Sequence, residues 1–240
     1  MKKTANIHDP NFTDTFSRRT FLSGGAAAFS GMIVAPHLVR GATANGKIAV
    51  GMIGCGGRGG WIANHFKEHG GYEITACADY FQDKVDAFGE KHGIDASRRF
   101  TGLNGYKKLL ECGNLDAVII KSPPCFHPQQ IADAVDAGKH VYAAKPVAVD
   151  APGCRTVAES GKRATKNKQV VFVDFQHRND PFLQETVKRL HEGVLGKITF
   201  GEAFNHSGEC GVKPGPDTPE TRLKNWLLYK ALSGDYMVEI

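Results

Sequence analysis

Gly54, Gly56 and Gly59 stand at the spacing GxGxxG within the run GMIGCGGRGG. Glycine at the first position permits a tight strand-to-helix turn, at the second it lets a ligand approach the backbone, and at the third it lets helix and strand pack closely. The helix that such a loop opens presents free amides at its start, where Gly57 and Arg58 also lie, and this is a place for a pyrophosphate. Asp79 follows twenty residues after Gly59, at the end of the next apolar run. A carboxylate there accepts from a ribose 2′-hydroxyl and repels a 2′-phosphate, so the expected ligand is NAD rather than NADP. Asp79 can also cap the helix that follows it.

One other motif has chemistry-bearing residues at a suggestive spacing. His65-Phe66-Lys67-Glu68-His69 fits HxxEH, an inverted zinc-peptidase pattern. It falls on the C-terminal half of the helix that follows the glycine loop, where Ile62 and Phe66 must pack on a sheet. No partner ligand with a clear context follows, so these are read as surface histidines and no metal site is expected.

The elements that would position these residues follow from the pattern of apolar runs. KIAVGMI (47–53), YEITACA (72–78), DAVII (116–120), KHVYAA (139–144) and QVVFV (169–173) have the character of strands buried on both faces. Helix-like stretches alternate with them at 61–69, 82–92, 106–112, 128–137 and 151–165, with turn glycines such as Gly70 and Gly138 at helix ends. This alternation predicts an α/β fold, a Rossmann-type doubly wound parallel sheet. After Val173 the texture changes. A helix over 181–192, capped by Asp180 or Asn179, leads to an expected strand from Lys197 to Asn205. A Gly- and Pro-rich loop (207–220) and an amphipathic segment around Trp226 come next. About 65 residues with one strand rarely build an independent sheet. The predicted organisation is a signal segment at 1–44, a nucleotide-binding domain at 45–173, and at 174–240 the start of an incomplete α+β open-sheet domain.

In order along the chain, the glycine loop, Asp79, Asp116-Ala117-Val118-Ile119-Ile120, Ser122-Pro123-Pro124 with His127, Ala137-Gly138-Lys139-His140-Val141 and Lys145-Pro146 resemble the glucose-fructose oxidoreductase, inositol dehydrogenase and rhizopine-catabolism (Gfo/Idh/MocA) family. The resemblance runs from Lys47 to Ile240. It implies that Ser122, Pro123 and His127 form the loop that packs along the nicotinamide half of the cofactor. It also implies that Lys145, the lysine of the family's Glu-Lys-Pro signature, reaches the active site beside the nicotinamide. A lysine held there by a following proline is placed to polarise a substrate hydroxyl or carbonyl and share its proton. Ala144 stands where the family usually carries glutamate. Glu239, in SGDYMVE, falls on an acidic position that the family follows, four residues later, with a catalytic histidine; that position is 243, beyond Ile240. Gln176, with His177 and Arg178, is either a crossover contact to cofactor or substrate or ordinary polar surface, and Gln176 is carried as a cofactor candidate.

The start of the chain carries an address. Arg18 and Arg19 precede Phe21-Leu22 and a Gly- and Ala-rich stretch, the pattern of a twin-arginine export signal, with Ala42-Thr43-Ala44 as a small-residue cleavage site. The stretch from Phe21 to Val39 is interrupted by polar residues, glycines and a proline, so no stable membrane anchor is expected. Of the net charge of +5, residues 1–44 contribute +3, which leaves too little for nucleic-acid binding. Six widely spaced cysteines without a CxxC pair argue for free thiols rather than a disulfide framework.

These observations predict an exported, periplasmic, NAD-dependent oxidoreductase that transfers a hydride to or from a carbohydrate or polyol, with Lys145 and Glu239 as catalytic residues. Its partners would be the sugar or polyol, the twin-arginine translocase and, when full length, other copies of itself. Two alternatives are an NAD-dependent glycosidase that oxidises its substrate transiently, and a truncated NAD-binding protein without catalysis. The periplasm offers no pool of free NAD, so an exported enzyme of this type has to fold around its cofactor and hold it tightly.

Overall fold

A computed structural model describes residues 46–206, 208 and 211–239. The segment read as an export address, Arg18 and Arg19 included, lies outside the described residues, as does Cys210. Six strands, β1 (Ile48–Ile53), β2 (Tyr72–Asp79), β3 (Arg99–Thr101), β4 (Ala117–Ile120), β5 (His140–Ala144) and β6 (Val171–Asp174), form one sheet. Their order is β3-β2-β1-β4-β5-β6, and every pairing is parallel. Five of the six are the apolar runs of the sequence. The sixth, β3, is a three-residue edge strand paired with Cys77–Asp79, too short to carry a period of its own.

Side-chain alternation along these strands builds two cores. Val50, Met52, Cys77 and Ile119 face one way and pack under α1 (Gly57–His69) and α2 (Gln82–His92) through Ile62, Ala63, Val85 and Phe88. Ile53, Ala76, Ala78, Val118, Ile120 and Val141 face the other way. They meet α3 (Gly105–Leu110), α4 (His127–Asp136) and α5 (Ala151–Lys166) through Leu109, Ile131, Val135 and Val157. Helices on both faces of a parallel sheet are the doubly wound arrangement, and burial on both faces explains why the strands read as continuous apolar runs. Local chemistry sets the helix ends. Asp150 caps α5 by accepting from Gly153 N at 2.7 Å, while α1 and α2 stop at Gly70 and Gly93 in the left-handed conformation.

Beyond β6 the chain adds α6 (Pro181–His191), capped by Asp180, which accepts from the amides of Phe182 and Leu183. The strand expected over 197–205 does not form. Its alternating apolar residues are present, but no neighbouring strand among the described residues offers the hydrogen bonds that a strand requires, and Ile198, Phe200 and Phe204 are exposed. Residues 211–239 return to the sheet through α7 (Pro219–Lys224), a 3-10 turn at Trp226–Leu228, α8 (Lys230–Ser233) and α9 (Tyr236–Glu239). Among the described residues no helix is long and apolar enough to cross a membrane.

Candidate functional site

The glycine loop joins β1 to α1 at the carboxyl ends of β1 and β4, where the strand order reverses, which is the position at which open α/β sheets bind ligands. Each glycine serves a distinct need. Gly54 has φ of 97°, and a Cβ there would lie 2.5 Å from the Lys121 carbonyl carbon. A Cβ on Gly59 would lie 2.0 Å from the Gly54 oxygen, so this glycine sets the contact between helix and strand. A Cβ on Gly56 or Gly57 would have no heavy atom within 4 Å, leaving open space above the backbone. The helix start has no side-chain cap and no acidic residue in its first turn. Open space over uncapped amides is what a pyrophosphate needs, and the residues present fit a dinucleotide.

Asp79, at the end of β2, lines the same slot, a cavity of about 180 Å³ that Gly54, Gly56, Ser122 and Pro123 also line. Its carboxylate accepts from the Cys55 amide at 2.7 Å and the Phe81 amide at 3.0 Å. One oxygen is therefore tied to the glycine loop and the other to the start of α2, and each keeps a lone pair for a ribose hydroxyl. The Ser122 hydroxyl is 2.5 Å from Gln130 Oε1.

Arg58, in the first turn of α1, lies 4.2 Å over the Trp61 ring and 3.6 Å from the Asp174 carboxylate. Asp174 also receives the Lys121 ammonium at 2.6 Å, and that lysine side chain is wholly buried. Burial pushes the Asp174 carboxyl up, but hydrogen bonds from Lys121 and Tyr142 and the charges of Lys121 and Arg58 outweigh this and hold it below the usual carboxylate range. The Lys121 ammonium lies below its ordinary value, chiefly through burial and against the pull of Asp174. Sequence reading missed this pair. Its one signal was a charged residue placed directly after a buried apolar run, VIIK and VFVD, at two strand ends.

His127 and Gln176, two of the expected cofactor residues, do not border this slot. His127 is 1% exposed, with Nδ1 2.7 Å from the Pro146 carbonyl and Nε2 2.8 Å from the Ser122 carbonyl. The ring lies between the two carbonyls and in its neutral form donates its one N–H to one of them, so His127 braces the loop after β4 against the turn after β5. Burial pushes its imidazole below the ordinary value, against the two carbonyl contacts. Gln176 is exposed in the 3-10 turn Gln176–Asn179 and does not border the slot, because the chain leaves the sheet at Asp174 and carries it outward.

The two residues read as catalytic are brought together. Lys145, just past β5, donates to the Glu239 backbone carbonyl and stands 3.4 Å from Glu239 Oε1. The Glu239 carboxyl is pushed above its ordinary value by burial, against the lowering influence of Lys145, and its Oε2 has no hydrogen-bond partner among the described residues. Of the HxxEH histidines, His65 lies 3.2 Å from Glu68 and packs edge-on to Trp61, while His69 packs beside Tyr72.

Residues 48–175, just over half of the chain, match the Gfo/Idh/MocA description "oxidoreductase family, NAD-binding Rossmann fold". The chain belongs to the Gfo/Idh/MocA family. Among proteins of known structure, a 3-ketoreductase from Actinomadura kijaniata in complex with NADP is 29% identical. It superposes with a TM-score of 0.53 over 63% of this chain and 46% of that one. The WlbA dehydrogenase from Bordetella pertussis, in complex with NADH and UDP-GlcNAcA, is 27% identical with a TM-score of 0.54, over 63% of this chain and 42% of that one. Curated relatives include an alpha-N-acetylgalactosaminidase from Shewanella oneidensis, 28% identical over 210 residues. That match covers 78% of this chain and 45% of the relative. A glycosyl hydrolase family 109 protein from Shewanella pealeana is 28% identical over 160 residues, 65% of this chain and 34% of that protein. The chain spans less than half the length of these relatives.

Proposed function

We propose that this chain carries the cofactor-binding part of an NAD-dependent oxidoreductase that acts on a carbohydrate or polyol by hydride transfer. The observation that carries this reading is the convergence of the open backbone at Gly56, the uncapped start of α1 and the Asp79 carboxylate on one slot. The first two would take the pyrophosphate and Asp79 the adenosine ribose. When bound, the nicotinamide supplies a hydride acceptor and donor. In the reductive direction the Lys145 ammonium would hydrogen-bond the substrate carbonyl oxygen and give it a proton as the hydride arrives; in the oxidative direction the neutral amine would take that proton back, with Glu239 balancing the charge of the ammonium form. The Asp79 carboxylate favours NAD over NADP. Competition between the two cofactors checks this, and equal affinities would overturn it.

A second reading is an NAD-dependent glycosidase that oxidises and re-reduces its sugar around bond cleavage. The match to an alpha-N-acetylgalactosaminidase over 78% of this chain favours it. Incubating the protein with sugars, polyols and N-acetylgalactosaminides, with and without added NAD, separates the two. Net NADH formation supports the oxidoreductase, and sugar release without net NADH supports the glycosidase. Nucleotide binding with neither product would leave a non-catalytic NAD-binding protein. The Arg18-Arg19 pair motivates export to the periplasm by the twin-arginine translocase with NAD already bound. Purification of the protein free of nucleotide, with a need for millimolar NAD, would overturn that part. Self-association belongs to the same proposal and is tested by sedimentation.

A further inference from the structure

The slot beside Asp79 has a second wall that the glycine motif does not announce. It comes from residues 211–229, more than 130 positions downstream of Asp79, and it contributes Lys213, Leu223, Lys224 and Trp226 to a lining that the sheet side shares through Ile53, Ala78 and Gly54. This segment is braced from within. Asn225, 8% exposed, accepts from the Lys213 amide at 2.8 Å and donates to the carbonyls of Lys213 and Thr221, both at 3.0 Å. Thr218 caps α7, and Arg222 grips Asp217 through two nitrogens at 2.6 and 2.5 Å. Its ties to the nucleotide-binding sheet are lighter. Tyr80 Oη donates to Glu220 Oε1 at 3.1 Å, and Lys224 Nζ lies 5.2 Å over the Phe81 ring.

An internally braced strap joined to the sheet by a few exposed contacts would hold its shape when the slot opens. The chemistry of its inner surface is specific. Leu223 is apolar and the Trp226 indole is apolar and flat, suited to one face of a purine, and Lys213 and Lys224 add positive charge to the lining of a slot that also holds the Asp79 carboxylate. This matches an adenosine whose base stacks on the strap and whose ribose meets Asp79, with the pyrophosphate running on to the start of α1.

We propose that residues 211–229 form the second wall of the adenosine half-site, with Trp226 and Leu223 packing on the adenine and the Tyr80–Glu220 contact latching the strap over it. The inference rests on the dinucleotide reading above. It adds that cofactor retention is set by residues outside the Rossmann motif, since adenosine leaves only when the strap lifts.

Binding of NADH, ADP-ribose and nicotinamide mononucleotide to the full chain tests it by calorimetry, with NADH dissociation followed by stopped-flow fluorescence. Trp226→Ala is expected to weaken NADH and ADP-ribose about tenfold and leave the mononucleotide unchanged. Tyr80→Phe, which keeps the half-buried ring that lines the slot and removes only the hydroxyl that reaches Glu220, is expected to speed NADH dissociation severalfold. If wild-type protein binds NADH while Trp226→Ala keeps wild-type affinity for ADP-ribose, or Tyr80→Phe keeps the wild-type dissociation rate, the strap proposal is overturned and the dinucleotide reading stands. Should Trp226→Ala fail to fold, the Tyr80→Phe rate alone decides. Wild-type protein that binds none of the three overturns the dinucleotide reading and this proposal with it.

Discussion

Lys145 and Glu239, 94 positions apart in the chain, meet through the lysine ammonium, which donates to the Glu239 carbonyl and stands 3.4 Å from its carboxylate. The pairing sits at the carboxyl end of β5, on the same edge of the sheet as the glycine loop. Lys145→Met is expected to lower turnover by about two to four orders of magnitude while NAD affinity stays near wild type, because a general acid–base group contributes to the reaction and not to adenosine binding. Calorimetric titration beside steady-state rates checks the split, and an equal loss in both would place Lys145 in cofactor binding instead.

The glycines separate folding from binding. Gly59→Ala drives a Cβ to 2.0 Å from the Gly54 oxygen, a backbone atom that cannot swing aside. A loss of about 2–3 kcal/mol in urea unfolding is expected. Gly56→Val extends into open space, so the unfolding midpoint should hold while NAD affinity falls by about tenfold or more, because the added methyls occupy the room left for the pyrophosphate.

Removing one member of the Lys121–Asp174 pair leaves a charge with no water to turn to. Asp174→Ala is expected to cost about 3–5 kcal/mol. The double variant Lys121→Met, Asp174→Ala should regain most of that loss, which a double-mutant cycle in chemical denaturation measures. Additive losses would show that the two side chains do not depend on each other.

His127 predicts a pH dependence. Its imidazole is held below the ordinary value by burial, so the unfolded chain binds a proton more readily than the folded one. The stabilisation is complete above the unfolded value of about 6.5 and is lost as pH falls below it. His127→Gln should lower stability by roughly 2 kcal/mol, through loss of the ring that lies between the Pro146 and Ser122 carbonyls, and should flatten the slope below about pH 6.5. Parallel pH profiles for wild type and variant would place the titrating group elsewhere.

What could be read in the chain before its structure was whatever repeats locally. Buried strands announce themselves as apolar runs, and Asp79 and the glycines sit at fixed offsets because one turn and one strand separate them. β3 escaped because three edge residues carry no period. The strand expected over 197–205 had the right alternation, but alternation offers a face and cannot supply the neighbour that pairs with it. The strap, the brace at His127 and the Lys121–Asp174 pair depend on contacts 5 to 140 positions apart, from His127–Ser122 to Tyr80–Glu220, and no local pattern encodes where such side chains meet. Lys145 and Glu239 are an exception, since the resemblance to the family named both residues, though not the contact between them.

Asp79 holds the Cys55 amide inside the glycine loop with one oxygen and the Phe81 amide at the start of α2 with the other. On the proposed NAD reading, a change toward a 2′-phosphorylated cofactor would call for removing this carboxylate, and with it the tie between the loop and the end of β2. Exchanging cofactor preference here is therefore an evolutionary step of at least two moves: one that accepts the new phosphate, and one that re-anchors the turn from which Asp79 has been withdrawn.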